Sequence, residues 1–387
     1  MNIGVPKEIV SGERRVALVP DAVARLCEAG LNVIVESGAG EAANIFDSMY
    51  RESGANVVDD SDSVWEMSDI VLKVQAPTMD TSIGKAEISK LKSGSAIIGL
   101  LQPLTNLDLI KALKEKNVTS ISMDTVPRIA RAQSMDALSS MSSLAGYKAA
   151  IIAANSLAKY LPMMNTAAGT YAPAKGLVLG AGVAGLQAIA TSRRLGAVLK
   201  AFDVRPVVKE QVESLGATFV GLPEQTQTED SGGYAKELEE ESKIKEREVL
   251  TDINRDSDFV ITTALIPGRP APILITEEMV NNMRPGSVII DIAAEAGGNC
   301  ELTQPGEEIV VNGVIINGPL NLPSTMPLHA SQMYSRNIST LLSHLVNEAQ
   351  LNLDFDDAIT QGCCITHQGT VMYGPAQAIL DNQNNES

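Results

Sequence analysis

Residues 176–185 read Gly-Leu-Val-Leu-Gly-Ala-Gly-Val-Ala-Gly and are the most informative stretch of the chain. The first four residues are small or apolar and predict a buried strand. The glycines that follow have the spacing Gly180-x-Gly182-x-x-Gly185. An apolar helical pattern and a second strand come next, and Asp203 closes that strand. Strand, glycine turn, helix, strand and acid in this order are typical of a dinucleotide-binding βαβ unit.

Each residue of the turn has a physical purpose in such a unit. Gly180 allows the sharp turn out of the strand, and Gly182 lets a pyrophosphate approach the backbone because it has no Cβ. Gly185 lets the helix lie close to the strand. At Val183 and Ala184, the start of the helix directs free N–H groups and the positive end of its dipole at the phosphates.

Asp203 indicates which dinucleotide is bound. We expect its carboxylate, with Val204 beside it, to accept hydrogen bonds from the adenosine ribose hydroxyls. A carboxylate repels a 2′-phosphate, so NAD(H) is favoured over NADP(H). Arg205 is the counter-argument because an arginine here can hold a 2′-phosphate, but we interpret it as a solvated loop cation.

Composition excludes several classes of protein. The 387 residues carry a net charge of −17, which argues against binding to nucleic acid and to anionic lipid. No apolar run approaches the ~20 residues that span a bilayer, and we expect no signal peptide because residues 1–6 have the pattern of a strand. The four cysteines and three histidines show no metal-ligand spacing, so we expect no metal. A soluble protein in the reducing cytoplasm is the expectation.

Strand and helix patterns alternate along the chain and predict an α/β fold. We expect two doubly wound Rossmann-like domains with a cleft between them. Residues 1–140 would form the first domain, which residues 325–387 rejoin, and residues 141–324 would form the NAD(H)-binding domain. A helix over residues 330–347 is predicted to run into a polar tail.

Residues 222–248 are polar and rich in charge, and two interpretations stay open. They fit an exposed loop followed by a solvated helix. They also fit a mobile flap that carries Tyr234 over a bound ligand, with Gly232 and Gly233 as its hinge.

Six segments together identify a family resemblance that covers nearly the whole chain. The chain resembles the family of alanine dehydrogenases and the NAD(H)-binding component of proton-translocating transhydrogenase. The segments that carry the resemblance, besides the glycine turn, are Ile-Gly-Val-Pro-Lys-Glu at 3–8, Arg-Arg-Val-Ala at 14–17, Leu-Lys-Val at 72–74, Pro-Arg-Ile-Ala-Arg-Ala-Gln-Ser-Met-Asp at 127–136, Thr-Thr-Ala-Leu-Ile-Pro-Gly at 262–268 and Asp-Ile-Ala-Ala-Glu-Ala-Gly-Gly-Asn at 291–299.

Two departures favour the transhydrogenase branch of that family. Gln102 stands where the dehydrogenase branch has a histidine, and Glu295 stands where it has an aspartate. Arg15 and Lys73 occur in both branches. Residues 128–136 and 232–236 resemble the transhydrogenase branch specifically.

The chemistry of the two branches supports the same choice. Oxidation of an amino acid needs a proton acceptor of tuned pKa in the site, such as a histidine or lysine. Hydride transfer between two nicotinamides needs only that the rings are brought together and oriented. A site without a histidine suits the second reaction.

The resemblance implies roles for individual residues. Arg128, Gln133, Asp136 and Ser139 would surround the nicotinamide end of NAD(H). Gln133 would hydrogen-bond the nicotinamide ribose of the partner's coenzyme or steer the two rings together. Asp136 would accept from the carboxamide, and Arg128 would pair with Asp136 or approach the pyrophosphate. Asp136 alone also fits a helix cap, and Ser139 an ordinary helix residue. The remaining contacts that the resemblance implies are Gly233 and Tyr234 on the flap and Ala264 and Leu265 after a strand.

The resemblance also implies partners. A transhydrogenase of this type has a soluble NAD(H) component, a membrane-spanning proton channel and a soluble NADP(H) component. We expect this chain to be the separate NAD(H) subunit, a homodimer held at the membrane by those partner subunits. Two alternatives stay open: a free-standing alanine dehydrogenase, and a non-catalytic regulator that senses NADH.

Overall fold

The structure is a computed structural model that describes residues 1–80, 86–222, 240–266 and 268–386. The chain divides into two compact units. The first unit comprises Met1–Met141 and Ser324–Ser387, and the second comprises Ser142–Pro323.

Strands and helices alternate along most of the described chain. The strands are β1 Asn2–Val5, β2 Asn32–Glu36, β3 Asn56–Val58, β4 Ile70–Gln75, β5 Ala96–Leu100, β6 Thr119–Ser122, β7 Met164–Thr166, β8 Gly169–Tyr171, β9 Lys175–Leu179, β10 Val198–Phe202, β11 Thr218–Val220, β12 Phe259–Thr262, β13 Val288–Asp291, β14 Glu308–Val311, β15 Val314–Asn317, β16 Val346–Asn347, β17 Gln350–Leu351, β18 Cys364–His367 and β19 Thr370–Val371. The helices are α1 Pro20–Glu28, α2 Asp47–Glu52, α3 Ser61–Met67, α4 Glu87–Lys90, α5 Leu107–Glu115, α6 Ala137–Ser156, α7 Val183–Arg194, α8 Lys209–Ser214, α9 Glu240–Arg255, α10 Glu277–Asn281, α11 Pro327–Leu345, α12 Ala358–Cys363 and α13 Gly374–Glu386.

The first unit is built on an eight-stranded sheet with the order β19-β18-β6-β5-β4-β1-β2-β3. Strands β1 to β6 are parallel to one another, whereas β18 is antiparallel to both β6 and β19. The chain moves outward from β1 through β2 and β3, and then in the other direction through β4, β5 and β6. The strand order therefore reverses between β1 and β4, which is the usual place for a ligand in such a sheet.

The second unit is built on a seven-stranded sheet with the order β11-β10-β9-β12-β13-β15-β14. All neighbours are parallel except β14 and β15. The order reverses between β9 and β12. Strands β12 and β13 are buried along their whole length, as expected of parallel strands covered on both faces. These two sheets confirm the predicted α/β class with two doubly wound, Rossmann-like sheets.

Helix α6 approaches the start of α7 very closely, and a glycine makes this possible. A Cβ at Gly146 would lie 2.0 Å from the carbonyl oxygen of Ala184. Any side chain at position 146 would therefore push α6 away from the first turn of α7. That first turn directly follows the glycine turn.

The segment after α11 differs from the sequence prediction. Instead of a polar tail after residue 347, the structure has four further strands or helices of eight or fewer residues and the helix α13. Strand β18 is buried and pairs with β6, and the hydroxyls of Ser120 and Thr366 lie 2.6 Å apart across this pair. The prediction is wrong because β18 has only four residues and its partner strand is distant in sequence.

Candidate functional site

The glycine turn lies at the carboxyl end of β9, beside the point where the strand order of the second unit reverses. Gly180 has a φ of 92°, which favours glycine, and α7 begins at Val183. The N-cap residue of α7 is Gly182, which has no side chain with which to cap the helix. The N–H groups of the first turn are therefore suited to bind an anion.

The three glycines of the turn are required for different reasons. A Cβ at Gly185 would lie 1.8 Å from the carbonyl oxygen of Gly180, and one at Gly180 would lie 2.7 Å from Oγ1 of Thr263. At Gly182 a Cβ would meet no protein atom within 4 Å. The fold thus needs glycine at 180 and 185 but has open space at 182.

Asp203 follows β10 and is 5% exposed. Its Oδ2 accepts from the backbone N–H of Ala181 at 2.7 Å and from Nη2 of Arg205 at 2.8 Å. Its Oδ1 accepts from the backbone N and from Nε of Arg205, each at 2.9 Å. These four bonds match the roughly four lone-pair sites of a carboxylate.

The interpretation of Arg205 as a solvated cation is wrong. Its side chain is 13% exposed and donates hydrogen bonds to Asp203 from Nε and Nη2. The planar guanidinium matches a carboxylate two residues earlier, and such charge-assisted bonds are strong. A ribose that binds Asp203 must therefore displace part of this pair.

Ala264 and Leu265 follow β12, the strand next to β9. Oγ1 of Thr263 donates to the carbonyl oxygens of Leu179 and Gly180, at 3.2 and 3.0 Å. The N–H and the carbonyl of Ala264 both bond to the side chain of Asn299. The structure thus brings the glycine turn, residues 203–205 and residues 264–265 together at the carboxyl ends of β9, β10 and β12.

The block of residues 128–139 belongs to the first unit. It follows β6 and contains a 3-10 helix, Ala130–Met135, before α6 begins. Oδ1 of Asp136 accepts from the N–H of Ser139 at 2.8 Å, and Oδ2 accepts from its hydroxyl at 2.6 Å. Asp136 and Ser139 are therefore in contact, and Asp136 caps α6. Arg128 and Gln133 are exposed.

Contacts from distant regions of the chain fix this block, and sequence reasoning missed them. Nδ2 of Asn337, on α11, donates to the carbonyl oxygen of Ser134 at 2.8 Å. Arg131 pairs with Asp357. No local pattern marks Asn337, so the sequence contains no signal for its role. The predicted flap residues Gly233 and Tyr234 lie outside the described residues.

Buried charges fill the place in the first unit where its strand order reverses. Nζ of Lys73 lies 2.6 Å from Oε1 of Glu87 and 3.2 Å from Oε2 of Glu8. Burial alone would lower the pKa of Lys73, but the two carboxylates outweigh it and raise that pKa. Burial raises the pKa of Glu8.

Arg15 is the second cation of this buried cluster, and it pairs with Glu13. Its Nη2 and Nε bond both oxygens of Glu13, at 2.6 and 2.8 Å, and Nε2 of Gln75 donates to Glu13 at 2.8 Å. Three carboxylates thus surround two cations. Both Arg15 and Lys73 are buried and paired within the chain, with side chains that are 3% and 0% exposed.

The Glu13–Arg15 pair predicts a dependence of stability on pH. Burial raises the pKa of Glu13, but the bonds and charge of Arg15 and the bond from Gln75 outweigh it and lower that pKa from 4.5 to about 2. The stabilisation is therefore complete above pH 4.5 and is lost as pH falls toward 2. It amounts to about 3 kcal/mol. Urea unfolding of the wild type and of Glu13→Gln should differ most at pH 6 and converge as the pH approaches 2, and a difference independent of pH would contradict this.

Gln102 lies at the carboxyl end of β5 in an unusual conformation. Its φ is 52°, in the left-handed region, and its side chain is exposed. Asp124 stabilises the turn by accepting from the N–H groups of Leu101 and Gln102, at 3.1 and 3.0 Å. Such backbone strain is often found at functional sites.

The described residues contain neither a cluster of metal ligands nor a membrane-spanning helix. Within residues 1–80, 86–222, 240–266 and 268–386, no three His, Cys, Asp or Glu side chains stand where they could hold a metal ion. No helix of those same ranges is long and apolar enough to cross a membrane.

The fold and the glycine turn define a Rossmann-type, NAD-binding α/β protein, and comparisons with known proteins specify its family. Residues 4–145 match the family described as Alanine dehydrogenase/PNT, N-terminal domain, and residues 149–374 match the corresponding C-terminal domain. The chain belongs to this family, and within it to the NAD(P) transhydrogenase alpha subunits.

Individual relatives support this assignment. The chain is 46% identical to an NAD(P) transhydrogenase alpha-subunit chain of Rhodospirillum rubrum, over 96% of this chain and 98% of that protein. It is similar to a transhydrogenase structure from Sinorhizobium meliloti, with a TM-score of 0.83, 40% identity and coverage of 97% and 99%. An L-alanine dehydrogenase structure has a TM-score of 0.82 but only 27% identity, with each chain covered to 99%.

Proposed function

We propose that this chain is the NAD(H)-binding subunit of a proton-translocating NAD(P) transhydrogenase. It would bring NADH to an NADP⁺ held on a partner subunit for direct hydride transfer, and a membrane component would couple the transfer to proton movement. The open space at Gly182, at the reversal of strand order in the second unit, is the observation that carries the proposal. No protein atom lies within 4 Å of where a Cβ would stand at this position, so a pyrophosphate would approach the backbone there without a steric barrier.

The residues of the second unit would bind the adenosine and phosphate groups of NAD(H). Val183, Ala184 and Gly185 offer the N–H groups at the start of α7, and Asp203 offers its carboxylate to the ribose. Val204 and Arg205 lie beside that carboxylate. Ala264 and Leu265 would border the coenzyme on the β12 side.

The residues of the first unit would orient the nicotinamide end, which supplies the hydride chemistry. Asp136 uses only two lone pairs of its carboxylate in capping α6, so it keeps the capacity to accept from the carboxamide. Ser139 holds Asp136 in place. Arg128 and Gln133 would meet the coenzyme or its partner, and Gly233 and Tyr234 would close over it. No residue needs to accept a proton.

Coenzyme preference gives a prediction for Asp203→Ala. We expect NADH binding to weaken by about 1–3 kcal/mol, because a ligand hydroxyl is left unpaired. Arg205, released from its ion pair, should at the same time strengthen NADPH binding. Calorimetry with both coenzymes measures this. Asp203→Asn is the isosteric control, and it should weaken NADH binding but strengthen NADPH binding less than Asp203→Ala does. If both variants bind NADH as tightly as the wild type, Asp203 is not part of the NADH site.

Alanine dehydrogenase is the second candidate, because the family includes that activity. Gln102, which stands where the dehydrogenase branch has a histidine, argues against it, since a glutamine cannot accept the proton that amino-acid oxidation releases. Pyruvate and ammonia added to NADH and the chain alone decide the matter. Substantial NADH oxidation would favour the dehydrogenase.

The proposal includes assembly with other chains. The partners would be a membrane-spanning subunit and an NADP(H)-binding subunit, and the chain would be a homodimer at the cytoplasmic face of the membrane. The test is reduction of an NADP⁺ analogue by NADH when this chain is mixed with an NADP(H)-binding transhydrogenase subunit. No reduction with a competent partner would overturn the proposal.

A further inference from the structure

The side chain of Asn299 binds the backbone of the segment that follows β12. Asn299 is fully buried, and its Oδ1 accepts from the N–H of Ala264 at 3.0 Å. Its Nδ2 donates to the carbonyl oxygens of Ala264, at 2.9 Å, and of Pro272, at 2.8 Å. The amide thus uses both of its donors on the backbone of this segment, together with one acceptor site.

Asn299 is itself fixed by a buried carboxylate. Asp291 ends β13 and is fully buried, and its Oδ2 accepts from the N–H groups of Asn299 and Cys300, at 2.8 and 3.0 Å, and from Oγ1 of Thr303 at 2.6 Å. Its Oδ1 accepts from Oγ1 of Thr262, the last residue of β12, at 2.7 Å. The position of Asn299 is therefore tied to the ends of β12 and β13.

No other small side chain can make these bonds to the segment. An aspartate at 299 would place one carboxylate oxygen, in the position of Nδ2, against the carbonyl oxygens of both Ala264 and Pro272, which would repel it. An apolar residue would leave the half-buried backbone groups of Ala264 and Pro272 without those partners. An amide is therefore required by hydrogen bonding as well as by size.

We propose that Asn299 is a positioning residue for NAD(H) binding. It holds Ala264 and Leu265 beside the glycine turn. The backbone at the carboxyl ends of β9 and β12 is therefore already in position when the coenzyme binds. Thr263 fixes the start of the same segment to Gly180, and Asn299 fixes the next residue. This inference rests on the function proposed above and adds a residue to its site.

The test compares Asn299→Asp with Asn254→Asp. Asn254, also in the second unit, is 1% exposed, and its Nδ2 donates to the carbonyl oxygen of Met279 at 3.1 Å. Both variants should lower the melting temperature, which circular dichroism measures. At a temperature where both are folded, Asn299→Asp should weaken NADH binding at least about tenfold, whereas Asn254→Asp should leave the affinity within about twofold of the wild type.

A kinetic readout separates positioning from general destabilisation. With an NADP(H)-binding partner, Asn299→Asp should raise the KM for NADH more than it lowers kcat, and Asn254→Asp should change neither. If Asn299→Asp does not fold, Thr303→Val removes one bond to Asp291, and NADH binding should then weaken about two- to fivefold.

The outcomes distinguish the inference from the proposed function. A wild-type chain that binds NADH, together with a folded Asn299→Asp (or Thr303→Val) variant of unchanged affinity and KM, would overturn the inference alone. A wild-type chain that binds no NADH would overturn the proposed function and the inference with it.

Discussion

Replacing Gly182 with alanine is expected to weaken NADH binding about 100-fold while leaving the protein folded. The backbone at Gly182 has φ −76° and ψ −168°, which alanine adopts without strain, and its Cβ would meet no protein atom within 4 Å. The added methyl group would occupy the space through which we expect the pyrophosphate to approach the backbone. Calorimetry with NADH and thermal unfolding of the same sample measure the two effects.

Gly185→Ala is the matched comparison for this prediction. Its Cβ would lie 1.8 Å from a backbone carbonyl oxygen, which cannot turn aside as a side chain does. Both the melting temperature and NADH binding should therefore fall. If Gly182→Ala bound NADH as tightly as the wild type, the glycine turn would not be the phosphate site.

The second large effect is expected for Lys73→Met, which should lower the free energy of unfolding by about 3–5 kcal/mol. Lys73 and its two carboxylate partners have side chains that are 0–4% exposed. Without the lysine, Glu8 and Glu87 remain buried with no charge to balance them. Urea unfolding at neutral pH measures the loss.

Two further variants check the cause of that loss. Lys111 pairs with Asp108 at 3.6 Å on the surface, so Lys111→Met should change the free energy of unfolding by no more than about 0.5 kcal/mol. Adding Glu87→Gln to Lys73→Met should restore some of the stability. A loss below about 1 kcal/mol for Lys73→Met would show that the cluster does not stabilise the first unit.

Local patterns predict several individual strands and helices and also the glycine turn. The sequence patterns predict strands at residues 32–36 and 314–317 and a helix at residues 61–67, which agree to the residue with β2, β15 and α3. Strands predicted at residues 260–263 and 287–291 agree with β12 and β13 to within one residue. These elements are short and continuous, so alternation and turn residues within each one suffice. The turn at residues 180–185 is predictable because its glycine spacing follows directly from its geometry.

Contacts between distant residues cannot be predicted in this way. Asn299 and Asn337 fix backbone carbonyls 35 and 203 positions away in the sequence, and neither side chain has a local pattern that marks its contact. Strand β18 escapes prediction because its partner β6 comes more than 200 residues earlier. The interpretation of Arg205 fails for another reason: whether an arginine faces solvent or a neighbouring carboxylate depends on side-chain geometry that the sequence does not contain.

The ligand roles of the site residues stay predictions. The structure places Asp136 against Ser139 and Asp203 against Arg205, and these contacts are made within the chain itself. The roles of Arg128 and Gln133 depend on a coenzyme and a partner. Substitution of Gln133 with asparagine separates a catalytic subunit from a mere sensor of NADH, since only the former should lose hydride transfer while NADH affinity is kept.

The most direct test of the central claim follows a labelled hydride. NADH that carries deuterium at both C4 positions is mixed with this chain, an NADP(H)-binding transhydrogenase subunit and an NADP⁺ analogue in ordinary water, and mass spectrometry then measures deuterium in the reduced analogue. We predict that every molecule of reduced analogue carries one deuterium from NADH, because the two nicotinamides react directly. A reduced analogue without deuterium, or no reduction at all, would contradict the account.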